Sequence, residues 1–282
     1  MINRYAGNCG KCRQRVEAGA GQAINDGGRW QTYHHDCVPV RIAPAPGTHT
    51  GWHDLPLVGF DLEGTLPEPM ETRIVSAALV YADGTRDTWL IDPGVPIPAD
   101  ATALHGFTDE MLRSNGRPPR EALAQLGAAV AKLVADGIPL VAFRATYDVT
   151  ALHTELARHG LPAIDWDRAR IVDPYVLHKE VEPKWYAPAR LGDLCGYYQV
   201  RLDAAHEAAS DAQAAAGLAR AIAARHERIA RMPLDVLHKA QADWHAAQGR
   251  DLQAHFDRQG RNETVNLEWP LETRPRTDPS GT

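Results

Sequence analysis

The stretch Leu57-Val58-Gly59-Phe60-Asp61-Leu62-Glu63-Gly64-Thr65 constrains this chain more than any other. It is an apolar run that reads as a strand and ends in two carboxylates on alternate residues. Residues i and i+2 of a strand point to the same face, so Asp61 and Glu63 project together from a buried edge. Two anions that close repel each other unless a cation lies between them. Ligation by oxygen alone favours magnesium or manganese over zinc.

The surrounding pattern predicts the frame that holds this strand. Residues 73–81 and 86–91 read as strands joined by the turn Ala82-Asp83-Gly84-Thr85. After Pro118-Pro119, the spacing of Leu123, Leu126, Val130, Leu133 and Val134 predicts a helix over 120–135. A strand over 138–143, a helix over 148–159, a strand near 170–172, an alanine-rich helix over 207–228 and an amphipathic helix over 234–259 follow. Strands in series and then alternating helices and strands predict an α/β fold, a mixed sheet with helices on its faces. The expected divisions are a glycine-rich unit at 1–43, a Pro/Gly linker at 44–54, the main domain at 55–230, and a C-terminal helix with a tail disordered from Leu271 onward.

At 282 residues the chain suits one domain with a small appendage, and 44% hydrophobic content is enough for a core. The net charge of −6 gives no global basic signature, which weighs against a pure DNA-binding protein but not against a metal nuclease. No apolar run is long enough to span a bilayer, and residues 1–7 lack the apolar segment of a signal peptide, so the expected location is cytoplasmic.

Three further residues extend the acidic pair. Asp148 follows the apolar residues 140–143 and by itself reads as a helix N-cap. His206 and Asp211 are five apart and share no helix face, so they converge only if His206 lies in the loop before a helix and Asp211 within it. Taken singly, each has an ordinary surface explanation. Taken in order, Asp-x-Glu, a later aspartate and His-x-x-x-x-Asp resemble the DEDDh 3'–5' exonucleases, which include the epsilon proofreading subunit of bacterial DNA polymerase and ribonuclease T. The resemblance covers roughly residues 55–228. Asp92-Pro93-Gly94 leading to His105-Gly106-Phe107-Thr108, Val172-Asp173-Pro174-Tyr175 and Arg190-Leu191-Gly192-Asp193-Leu194 support it.

The resemblance implies a ribonuclease-H-like fold and a two-metal mechanism. Asp61, Glu63, Asp148 and Asp211 would ligate two Mg²⁺ or Mn²⁺ ions about 3.5–4 Å apart. His206 would be the general base, and Thr65 and His105 would contact substrate. The implied product is a nucleoside 5'-monophosphate released from a DNA 3' end, in a proofreading or repair setting that could include a polymerase partner. Two departures bear on substrate preference rather than on ligands. Phe143-Arg144-Ala145-Thr146-Tyr147-Asp148 stands where many relatives have His-Asn-Ala before the aspartate, and Arg144 reads as a surface charge in preference to a phosphate contact. Gly64 follows Glu63 where threonine is common. Short RNA as substrate and a non-catalytic nucleic-acid adaptor are the alternatives; the intact set of five speaks against the second.

Cys9-Gly10-Lys11-Cys12 and His34-His35-Asp36-Cys37 have the spacing of a tetrahedral zinc site. His34 lies at the usual distance from Cys37 and is preferred to His35. A unit with few aliphatic residues needs such a staple. A Cys-x-x-Cys redox pair is the weaker reading, and Cys195 stands apart. The region also looks like small zinc-finger modules. Arg4, Lys11, Arg13, Arg15, Arg29 and Arg41 make it basic, which leaves open both a DNA-docking role and a purely structural one.

Overall fold

The computed structural model describes residues 2–26, 29–39, 41–183 and 189–273. The N-terminal unit consists of β1 (Gly7–Asn8) paired with β2 (Arg15–Val16), and β3 (Gly21–Asp26) paired with β4 (Arg29–His34), both antiparallel. Cys9 and Val16 are its buried apolar side chains among those described, which is too little apolar surface for a core.

Residues 43–53 are docked rather than free. The Ala43 amide donates to the Tyr197 carbonyl at 2.8 Å, the Gly47 amide to Ala224 at 2.7 Å, and the Trp52 indole to Ile229 at 2.8 Å. An extended, proline-rich strap has few internal partners for its backbone groups, so carbonyls at the ends of neighbouring helices supply them.

The larger unit runs β5 (Val58–Gly64), β6 (Ile74–Val80), β7 (Arg86–Leu90), α1 (Ala99–His105), α2 (Asp109–Asn115), α3 (Pro119–Ala135), β8 (Leu140–Val141), α4 (Thr146–Arg158), β9 (Ile171–Val172), α5 (Pro174–Val181), α6 (Leu191–Tyr198), α7 (Ala208–Ala223), α8 (Glu227–Ala230) and α9 (Leu234–Arg258). Five strands form a mixed sheet in the order β7-β6-β5-β8-β9. The strand with the paired carboxylates is central, antiparallel to β6 and parallel to β8. Pleating sorts its side chains between two cores. Val58, Phe60 and Leu62 pack with α3 and α4, while Leu57 joins Leu177, Leu194, Leu218 and Ile222 on the opposite face. Asp61 and Glu63 alternate with the first set and so project on the face crossed by α7.

Three expectations need correction. Helix α4 starts at Thr146, so Asp148 is its third residue and not its cap. The alanine-rich helix stops at Ala223 instead of Arg228; the Arg225 and His226 amides bond to Ile222 and Ala223 in a tight turn before α8. Leu271, Glu272 and Thr273 are ordered: Trp269 is buried, and the Glu272 amide donates to Thr150 Oγ1 at 2.9 Å. An aromatic anchor there overrides the proline-rich composition, and residues 274–282 lie outside those described. No described helix is long and apolar enough to cross a membrane.

Candidate active site

The close packing of α7 on the sheet builds the site. Its inner face is Ala208, Ala209, Ala212, Ala215 and Ala219, all buried, and Ala208, Ala209 and Ala212 press on Ala78 and Val80 of β6. Side chains this small let the helix axis approach the strands. Gly59 completes the fit, because a β-carbon there would fall inside contact distance of the Ala212 carbonyl. Asp211, in the first turn of α7, is thereby lowered onto Glu63.

His206 lies in the loop before α7 with a left-handed backbone, φ 65°. Its amide donates to Asp211 Oδ2 at 3.1 Å, which ties the loop to the helix and brings together residues five apart. Glu63, His206 and Asp211 carry potential ligand atoms that all lie within 4.8 Å of one another. Asp61 and Asp148 stand outside that tight set but within electrostatic reach of it. Asp148 is fixed from the opposite helix, its Oδ1 accepting the Leu62 amide at 3.0 Å.

Four carboxylates in one buried place resist ionising together. Burial pushes the Asp61 carboxyl well above its usual range, and Asp148, Glu63 and Asp211 push it further. Burial also raises Asp148, against the pull of the Leu62 amide. Glu63 is raised to about 7 by burial and by the charge of Asp211. Asp211 is raised by burial, which outweighs the His206 amide and ring. Its Oδ1 is buried with no hydrogen-bond partner among the described residues. An orphaned carboxylate oxygen facing three more carboxylates and an imidazole suits a hard divalent cation.

The other expected site residues lie at the margin. Thr65 is buried, its Oγ1 accepting the Arg73 amide at 3.0 Å, so the hydroxyl holds the loop that follows β5. His105 ends α1, buried, with Nδ1 accepting the Phe107 amide at 3.1 Å. Burial lowers its pKa, the Gly64 carbonyl raises it, and the nearby His206 lowers it again.

A cleft of about 780 Å³ opens beside Glu63. Thr65, Arg144, Tyr147 and Tyr175 line it, together with His245, Asn266 and Glu272 from α9 and the segment after it. Sequence reasoning missed the C-terminal contribution. Glu272 sits in no motif, and only tertiary packing brings it to the mouth. Asp173, which carries no site role in the sequence reading, organises this edge. It caps α5 through the Tyr175 amide, accepts the Arg144 and Ala145 amides at 3.0 Å each, and receives the Trp269 indole at 3.4 Å. The Asp173-Pro174 pair, a cap followed by proline at the first helical position, was the available signal.

A second cluster stands in the N-terminal unit. Ligand atoms of Cys9, Cys12, His34 and Cys37 lie within 4.8 Å of one another, so His34 and not His35 completes the set. His34 Nδ1 is 3.4 Å from Cys12 Sγ, and its Nε2 is 3.1 Å from the Arg15 carbonyl. That second bond fixes the tautomer which leaves Nδ1 free to ligate. Burial raises the Cys9 thiol, but the amides of Cys12, His34 and Lys11 together pull it down to about 5. Cys37 is pushed up to about 11 by burial and by the sulfurs of Cys12 and Cys9. A shared cation relieves that conflict.

Comparison with known proteins fits this geometry. Residues 58–219 match the family model RNase_T, described as exonuclease. A PolC-type DNA polymerase III from Streptococcus pyogenes serotype M1 is 31% identical over 183 residues, 64% of this chain and 12% of that protein. The chain therefore spans about an eighth of the length of the curated relatives it matches. Among solved structures, the zinc-bound exonuclease I–single-stranded DNA complex of E. coli superposes with a TM-score of 0.53 at 18% identity, covering 71% of this chain and 45% of that one. An exonuclease I from Methylocaldum szegediense gives 0.50 at 17% identity, covering 69% and 46%. At these identities the likeness is one of fold.

Proposed function

This chain belongs to the RNase T-type exonuclease family, and from that premise we propose that it is a 3'–5' exonuclease removing nucleoside 5'-monophosphates from single-stranded DNA. The observation that carries the reading is the convergence of Glu63, His206 and the orphaned Asp211 Oδ1 beside Asp61 and Asp148. That donor set fits two divalent cations, Mg²⁺ or Mn²⁺, held by Asp61, Glu63, Asp148 and Asp211. When bound, they supply Lewis acidity at the attacking and leaving oxygens of a phosphodiester.

The chain's own groups do the rest. The His206 imidazole, exposed at the mouth of the site, takes the proton of the attacking water. Asp211 Oδ2, by accepting the His206 amide, keeps that imidazole beside the carboxylates. The Leu62 amide holds Asp148 in one orientation, so its charge is fixed before substrate arrives. The single-strand preference draws on the neighbouring fold of E. coli exonuclease I, a protein described in complex with single-stranded DNA. For the N-terminal unit, the Cys9, Cys12, His34 and Cys37 set fits a structural Zn²⁺.

Digestion of a 5'-labelled single strand with Mg²⁺ or Mn²⁺ tests the reading. The expected result is a ladder shortened from the 3' end, lost by at least about a thousandfold in Asp61→Ala and Asp211→Ala, the size seen when groups acting on the transition state are removed. Undiminished digestion by both variants would overturn it. A matched RNA strand, degraded more slowly, is the control for substrate.

A further inference from the structure

We propose that Arg144 and Tyr175 form a nucleotide-binding subsite in the cleft, where the guanidinium takes a backbone phosphate and the paired planes receive an unstacked base. The inference rests on the exonuclease reading of the adjacent carboxylates.

Charge is the first argument. The cleft that leads to Glu63 is also lined by Asp100 and Glu272, a hostile surface for a polyanion. Among its described lining residues Arg144 is the one permanent cation. It forms no ion pair within 4 Å among the described residues, so its charge is not spent on these carboxylates. Geometry is the second. The Arg144 guanidinium carbon sits 4.3 Å from the centre of the Tyr175 ring, and Phe143 meets that ring edge-on at 5.8 Å. A guanidinium stacked on a ring is pre-ordered, keeps its outward N–H groups for phosphate oxygens, and offers a plane on which a single-stranded base can stack.

Backbone conformation is the third argument. Arg144 has φ 61°, in the left-handed region that suits glycine or asparagine better than arginine. The chain holds it there by the bond from its amide to Asp173, itself braced by Trp269 of the C-terminal segment. A costly conformation, secured by a buried carboxylate and spent on aiming an arginine into the cleft, marks a functional side chain. Of the two sequence readings of Arg144, the phosphate contact is the one these observations favour.

Arg144→Asn is the informative variant because asparagine relieves the backbone conformation and removes the cation. The probe is a fluorescein-labelled oligothymidine, its binding followed by anisotropy over a salt series in EDTA and in Ca²⁺, so that no turnover is needed. Arg144→Asn should melt no lower than the unmodified chain and bind about tenfold more weakly. Its plot of log affinity against log salt should be shallower by about 0.7, the share of one phosphate on a single strand. Arg144→Lys should keep the slope but lose affinity, as should Tyr175→Leu, because both lose the stack. In digestion, KM should rise about tenfold while kcat falls less than threefold. Unchanged affinity and slope in Arg144→Asn, or no binding by the unmodified chain in either condition, overturns the subsite. If the slope changes but no strand is ever shortened, the exonuclease reading fails and the subsite stands.

Discussion

Glu63 links the electrostatics of the site to a measurable pH dependence. Its carboxyl is raised from an ordinary 4.5 to about 7 by burial and by the charge of Asp211. In the unfolded chain it loses its proton near the lower value, so between these pH values the folded state holds a proton that the unfolded state has released. Folding of the metal-free protein is therefore weakened as pH rises from about 4.5 to about 7, by up to about 3 kcal/mol for this group. Asp61, Asp148 and Asp211, all shifted in the same direction, act with the same sign. Divalent cations replace the missing counter-charge, so the rise in Tm on adding Mn²⁺ should be larger at pH 8 than at pH 5.5. Glu63→Gln should shrink that difference. Calorimetric scans with chelator and with Mn²⁺ at the two pH values check this, and an equal rise at both would contradict it. The pairing of Asp61 with Glu63 was legible in the sequence because strand alternation is a local rule. The identity of the orphaned oxygen was not, since it depends on how deeply α7 sinks.

That depth is a property of elements. The antiparallel strands β5, β6 and β7, the long helix α3 and the C-terminal helix α9 could all be read from apolar spacing, because each carries its own period. Strands β8 and β9 pair over only two residues each, too short for a period to fix their bounds. The alanine run of α7 announces a helix but not its partner. Only the structure shows that the small face seats on Gly59 and on Ala78 and Val80. Gly59→Ala is therefore expected to force α7 away from β5, at a cost of about 3 kcal/mol in stability through overpacking against backbone. The same displacement lifts Asp211 from Glu63, so activity should fall further than the fraction folded. Urea unfolding alongside single-turnover digestion separates the two effects. A variant that is destabilised yet fully active per folded molecule would show that the ligand geometry does not depend on this contact.

At the scale of the molecule, the chain holds together two units with different reasons to fold. The larger one has two apolar cores that flank its sheet, and neither includes a residue from positions 2–39. The smaller one has almost no apolar interior and gathers Cys9, Cys12, His34 and Cys37 instead. Cysteine spacing made the cluster legible, whereas nothing in the sequence revealed that the segment after α9 returns to brace Asp173 and wall the cleft, because that packing is long-range. If Zn²⁺ staples the small unit, its binding supplies roughly 10–16 kcal/mol that no core there could replace. Zinc extraction should then expose residues 2–39 to protease while a fragment beginning near residue 41 survives. Melting of that fragment should stay within about 2 °C of the intact protein, because both of its cores remain whole. Metal analysis should return one zinc per chain before extraction and none after, and Cys37→Ser should reproduce the protease-sensitive state without a chelator. Protein that carries no zinc as purified, or that resists proteolysis equally after extraction, would mean that hydrogen bonds such as those from Gly10 to Thr32 and Arg13 to Cys9 suffice to hold the unit.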